Sequence, residues 1–232
     1  MNILITGAGR GLGYELTAEA LKRGHEVIAG VRHPEQEHEG LAQLAAAYGQ
    51  KLTVAALDVT EEEGIAKLAA SLQEQGRSLG VIINNAAVLT ARDTQIEELD
   101  FQDMLTTMDI NLYGPMRVVK HFLKLLTEPE GSIINISSEA GSITNAYTGD
   151  YPYSISKTAL NMFSQQLHVY LQERGIQVLS VHPGWMHTDM GGSEAPTNPR
   201  QSAEGIMDLI EQRTAPEGHY RFVDYTGKDM KI

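Results

Sequence analysis

The sequence predicts an α/β protein built on a doubly wound parallel sheet of seven strands with helices on both faces. Short β-rich runs alternate with longer segments of helical period, and the runs are mostly free of charge, as strands covered on both faces should be. Size agrees, because 232 residues make one domain with a full core (residues 1–232) and not comfortably two.

Strands are expected at Asn2 to Thr6, Glu26 to Val31, Leu52 to Leu57, Gly80 to Asn84, Ser132 to Ser137, Gln177 to His182 and Tyr220 to Val223. Helices fill the gaps, and right-handed crossovers place them on both faces. Gly24 after Lys22-Arg23 and Gly175 after Glu173-Arg174 read as helix ends, with cations near the negative end of the dipole. The acidic runs Glu61 to Glu63 and Glu97 to Asp103 read as helix starts, not metal sites. Gly191 to Pro199 is a short loop rich in Gly, Pro and Asn, and there is no repeat or linker.

Composition narrows the function. Hydrophobic residues make up 42% and charged residues 21%, which excludes the disordered class. Eighteen Lys and Arg against thirty Asp and Glu leave a net charge of −12, so nucleic acid is not an expected partner. The absence of cysteine excludes a disulfide framework, a thiol nucleophile and a Cys-ligated zinc site. No apolar stretch approaches the roughly 18 residues of a membrane span. The run Ile3 to Ile5 begins almost at Met1 and leads into a glycine turn, so neither a signal peptide nor a membrane partner is expected, and the expected location is cytoplasmic.

The first strand runs into Thr6-Gly7-Ala8-Gly9-Arg10-Gly11-Leu12-Gly13, and a helix follows with Leu12, Leu16 and Ala20 on one face. A strand, a tight glycine turn and a helix N-terminus bring backbone N–H groups and the positive dipole end onto a pyrophosphate. The alternative, a merely flexible βα loop, does not account for the flanking strand and helix.

The spacing TGxxxGxG differs from GxGxxG, and no GK[ST] follows as in a P-loop. It resembles the short-chain dehydrogenase/reductase family, and further marks of that family appear in order along essentially the whole chain. Asp58-Val59 closes the third strand, Asn84-Asn85-Ala86-Ala87 closes the fourth, and Asn111 lies inside a long helix. Ser138 follows the fifth strand, Tyr153 and Lys157 open the next helix, and Pro183-Gly184 with Thr188 closes the sixth. Ser137 to Ile143 together with Gly184 to Gly192 is most like the C-factor and sniffer-type carbonyl reductases of the family. The resemblance implies a Rossmann-type sheet. It also implies cofactor contacts from Thr6, Gly7, Gly9, Arg10, Gly11, Leu12, Gly13, Arg32, Asp58, Val59, Asn85, Ala86, Ala87, Tyr153, Lys157, Pro183, Gly184, Met186 and Thr188.

The charges select the cofactor. An NAD site needs an acidic residue at the end of the second strand, and Val31-Arg32-His33-Pro34 has none. Arg32 there and Arg10 in the glycine loop resemble the NADP-preferring members, whose guanidinium groups pair with a 2′-phosphate. NADP(H) is therefore expected in preference to NAD(H).

Tyr153 and Lys157 stand four residues apart on one helix face. Of nine tyrosines only this one has a lysine at that offset; Tyr113 with Arg117 and Tyr170 with Arg174 place arginine there, which does not titrate. A nearby ammonium favours phenolate and lets a tyrosine exchange protons near neutrality. By resemblance Tyr153 is the general acid, Lys157 lowers its pKa and binds the nicotinamide ribose, and Ser138 holds the substrate oxygen, with Ser137 the alternative. Pro115 has no N–H, so it cannot donate to the Asn111 carbonyl four residues earlier; the family's proton relay runs to a water held there. His182 and His187 lack a third ligand, so no metal is expected.

Ala87 replaces the glycine usual in the family's NNAG. The loop Ser142 to Tyr151 is expected to have its own shape, with Tyr147 and Tyr151 lining the cleft or bracing it, and the short segment Asp189 to Arg200 suggests an open cleft. The resulting expectation is an oxidoreductase reducing an aldehyde or ketone with NADPH, or working as an alcohol dehydrogenase in reverse. The alternatives are an NADP(H)-binding sensor with little turnover and an epimerase or dehydratase. The partner is a small carbonyl or alcohol, and the family implies a homodimer or homotetramer through Asp103 to Leu126 and Tyr153 to Arg174.

Overall fold

Seven parallel strands form one sheet: β1 (Asn2–Thr6), β2 (Glu26–Val31), β3 (Leu52–Ala56), β4 (Val81–Asn84), β5 (Ser132–Ile136), β6 (Gln177–His182) and β7 (Phe222–Asp224), in the order β3-β2-β1-β4-β5-β6-β7. This computed structural model describes residues 1–36, 38–218 and 220–232. Side chains alternate across the sheet. Ile3, Ile5, Val27, Ala29, Ile83 and Ile134 face a core completed by α1 (Gly11–Lys22), α2 (Glu39–Tyr48) and α7 (Pro199–Ile210). Leu4, Ile28, Ile82 and Ile133 face the opposite core, completed by α3 (Glu62–Glu74), α5 (Gly114–Phe122) and the far end of α6 (Tyr151–Leu171). Both faces are therefore covered, which is why these strands read as nearly continuous apolar runs.

Expected boundaries hold at β1, β2 and β6 and differ by one residue at one end of β3, β4 and β5. The last strand is displaced: it begins at Phe222, not Tyr220, because its pairing with β6 starts at Ser180 opposite Phe222. Asp224 ends it by accepting the N–H groups of Thr226 and Lys228.

The segment expected as one long helix around Asn111 is divided. α4 (Phe101–Met108) widens into a π turn at Asp109–Tyr113 before α5 resumes. Pro115 supplies the reason, since the missing N–H interrupts the α-helical ladder at Asn111. Gly24 and Gly175 are helix-terminating residues at φ +88° and +69°, and the two acidic runs lead into α3 and α4, with Asp100 capping the latter through the Gln102 N–H.

Candidate active site

β1 and β4 lie side by side, but the sheet grows in opposite directions from them, so the crevice beyond their C-terminal ends is the topological switch point. The glycine turn after β1 and the Asn84-Asn85-Ala86-Ala87 turn after β4 meet in it. The Thr6 hydroxyl accepts from the N–H groups of Asn85 and Ala86, both at 3.0 Å, and Asn85 Nδ2 donates to the carbonyls of Thr6 and Gly7. The approach leaves no room for side chains. A Cβ on Gly13 would stand 2.2 Å from the Gly7 carbonyl oxygen, and Gly7, at φ +65°, would put one 2.9 Å from Ala86 Cα. The first turn of α1 carries no acidic residue and no side-chain cap, so its N–H groups and positive dipole end fit an anionic pyrophosphate in this cradle. Leu12 is buried under it in the core, and Gly9 and Gly11 complete the turn.

Arg32 is exposed where β2 ends, and Arg10 is exposed in the glycine turn, ion-paired with Asp189 from the loop after β6. Asp58 uses Oδ1 to accept from the Thr60 N–H and hydroxyl, which shapes the turn after β3. Val59 is buried against Gly114, where a Cβ would come within 2.9 Å of it. Ala87 is partly buried, as the turn permits.

Further along the same edge lies a cavity of about 430 Å³ whose lining includes Ser137, Ser138, Tyr153, His182, Pro183, Gly184, Met186 and Thr188. Lys157 is buried behind it, 2% exposed, with Nζ donating to the Ile136 carbonyl at 2.8 Å and lying 5.5 Å from the Tyr153 ring centre. Burial pushes the Tyr153 hydroxyl up to about 12, with the Ser138 hydroxyl acting the other way. Burial also pushes Lys157 down to about 7. Burial therefore dominates at the phenol, and Tyr153 stands as a neutral phenol at neutral pH.

The two serines differ in their partners. Ser137 is 2% exposed and its hydroxyl donates to Asn161 Oδ1 at 2.6 Å, as does that of Ser180. Ser138 is left facing Tyr153. Asn161, one turn beyond Lys157, was not singled out in the sequence; the polar stripe it forms with Lys157, Thr158, Ser164 and Gln165 was the available signal. Asn111 accepts from the Val88 N–H and donates to the Val88 carbonyl and to Ser156, which in turn donates to the Tyr153 carbonyl. Its side chain thus ties the π turn to both the β4 loop and the base of the tyrosine.

Around the mouth, Gly184 adopts φ +85° against Thr197, Pro183 accepts from Ser202 through its carbonyl, and Thr188 Oγ1 accepts from the Gly191 N–H. The loop after β6 is less open than its length suggested: Asp189 reaches Arg10, and the Met190 carbonyl accepts from Arg92. Tyr147 lines the cavity and Tyr151 does not. The His182 ring accepts at Nδ1 from the Glu139 N–H, while burial pushes it toward the neutral form. Among the described residues no group of three or more His, Cys, Asp and Glu could hold a metal, and no helix is long and apolar enough to cross a membrane.

Fold and site together define an oxidoreductase of the doubly wound, dinucleotide-binding class. Residues 1–199 match the short chain dehydrogenase family model. The fold superposes on the carbonyl reductase Sniffer of D. melanogaster with a TM-score of 0.90 at 31% identity, covering 100% of this chain and 99% of that one. It superposes equally completely, with a TM-score of 0.88 at 31% identity, on a short-chain dehydrogenase/reductase from Burkholderia multivorans with bound NADP. The 1-hydroxy-2-glutathionyl-2-methyl-3-butene dehydrogenase of Rhodococcus sp. (strain AD45) is 34% identical over 227 residues, 95% of this chain and 94% of that protein. The chain belongs to the short-chain dehydrogenase/reductase family.

Proposed function

We propose that this protein reduces the carbonyl of an aldehyde or ketone to an alcohol with NADPH. The observation that carries the reading is the convergence of Ser138, Tyr153 and Lys157 on one cavity beside the glycine cradle. Bound NADPH would supply the hydride. Tyr153 holds the proton destined for the carbonyl oxygen, and burial keeps it in the phenol form that a donor requires. Ser138 donates a hydrogen bond to the same oxygen. Lys157, anchored on Ile136, carries two further N–H groups with which to orient the ribose and return a proton toward Tyr153. The Asn111 carbonyl, which Pro115 cannot satisfy, is the acceptor for the relay water.

Arg10 and Arg32 favour NADPH over NADH, with Arg10 exchanging Asp189 for the 2′-phosphate. Solved relatives that carry this nucleotide support the reading. The active form is a homodimer or larger assembly, because α4 and α6 expose Phe101, Leu105, Met162 and Val169, each more than half accessible. A monomer mass in light scattering at micromolar concentration would remove that part.

The test is NADPH oxidation by the wild type and Tyr153→Phe against one panel of aldehydes, ketones and diones. Turnover that collapses in the variant is expected. NADPH binding with no turnover of any member would favour a cofactor-binding sensor instead.

A further inference from the structure

Among the described residues lining the cavity, Arg92 is the single arginine or lysine. It is held there by backbone, not by a charge partner. Its neighbours Ala91 and Asp93 sit at φ +50° and +55°, in the left-handed region that few side-chain-bearing residues adopt. The Asp93 N–H donates to Asp150 Oδ1 at 3.2 Å, and Asp150 is itself left-handed at φ +48°. Gly149 packs so closely that an added Cβ would meet Asp93 Cα at 3.2 Å. Two loops thus fix the strained segment from both sides and present Arg92 to the cavity.

Among the described residues the guanidinium makes one hydrogen bond, from Nη2 to the Met190 carbonyl at 2.6 Å, and no carboxylate forms an ion pair with it. A guanidinium offers five N–H donors in a fork that matches a carboxylate. The two carboxylates of the lining are turned to other tasks. Glu139 accepts from Asn145 Nδ2, and Asp150 accepts from the Tyr147 hydroxyl as well as from Asp93. Arg92 acts on Tyr153 and Tyr147 in the direction of their ionised forms, against the larger opposite effect of Asp150, so the guanidinium and the reacting end share one cavity.

We propose that Arg92 is a specificity residue that binds the carboxylate of an oxo-acid substrate, whose distant carbonyl lies at Ser138 and Tyr153. The assignment rests on the carbonyl-reduction reading above. It adds to that reading that the substrate is an anion, although the protein as a whole carries a charge of −12. The Met190 carbonyl keeps one nitrogen of the fork in place while the remaining N–H groups face the ligand.

The experiment compares kcat/KM for 4-oxobutanoate and its uncharged methyl ester in the wild type, Arg92→Gln and Arg92→Lys. The wild type should prefer the acid. Arg92→Gln should lower the acid-to-ester ratio by about ten- to a hundred-fold, chiefly through KM, and Arg92→Lys should recover part of it. If Arg92 only straps the loop through Met190, both substrates lose alike and the ratio stays put, which overturns the proposal; so does a wild-type preference for the ester. Should the wild type reduce neither compound nor any neutral carbonyl, it is the reduction reading that fails. Calorimetric binding of 4-hydroxybutanoate with NADP present then decides the subsite by itself: binding lost in Arg92→Gln supports it, and no binding to the wild type overturns it.

Discussion

The same spacing, a tyrosine followed four residues later by a cation, occurs at the start of helix α6 and across its end, where Arg174 lies in the 3₁₀ turn Gln172–Arg174 that follows, and the two pairs have opposite surroundings. Near its start, Lys157 is 2% exposed, Tyr153 faces a cavity, and burial perturbs both groups. Near its end, Tyr170 is 68% exposed and Arg174 pairs with Glu128. Tyr113 and Arg117 make a third case, in which the arginine turns instead to Asp109. Identical spacing therefore says only that two side chains share a face. What sets the first pair apart is the sheet edge beneath it, which removes water from the lysine and leaves it the Ile136 carbonyl as anchor.

The largest expected effect separates the two pairs directly. Tyr153→Phe should lower kcat about 10³-fold, with NADPH binding followed by fluorescence retained, because it removes one proton and little volume. A variant that kept most of the turnover would abolish the distinction. Lys157→Met should lower kcat about 10²-fold, and it makes a second, opposite prediction for stability. Lys157 is held near 7 in the folded protein against 10.5 when free, so the cost of burying its charge is fully present below pH 7 and fades as pH rises toward 10.5. Wild-type unfolding free energy should therefore gain about 2 kcal/mol from this group between pH 7 and pH 9, and Lys157→Met should lack that gain. Urea titrations of the two proteins at both pH values would measure it. Equal slopes would mean that the lysine is solvated.

The difference between the pairs was only half legible in the sequence. The glycine turn, the strand positions and Tyr153-Lys157 were readable because each is a local pattern with a fixed mechanical reason. What sets Ser137 apart from Ser138 was not legible in the residues, since Asn161 takes the Ser137 hydroxyl from 24 positions away. Pro115 announced a break at Asn111 but not its form, a π turn instead of a simple kink. Arg92 gave no signal at all. It stands in the cavity because Ala91, Asp93 and Asp150 accept positive φ without a glycine or asparagine to advertise it.

Exposure alone does not mark an idle cation, and the arginines sharpen that point. Arg32 is exposed, yet Arg32→Ala should reduce the preference for NADPH over NADH by about ten- to a hundred-fold, read from the two kcat/KM values; an unchanged ratio would return it to the ordinary surface. Arg174→Ala is the counterpart with the smallest effect. Its partner Glu128 is held below the usual carboxylate range by the guanidinium, but both ends of the pair are open to solvent, where salt and side-chain entropy offset the attraction. Turnover should be unchanged and Tm should move by no more than about 2 °C at neutral pH. What little the pair contributes is present while Glu128 is ionised and disappears as acid protonates it, so wild type and variant should converge at low pH. A large loss of activity in Arg174→Ala would show that the far end of α6 acts on the site through the length of the helix, and burial at the near end would no longer be enough to set the proposed proton donor Tyr153 apart from Tyr170.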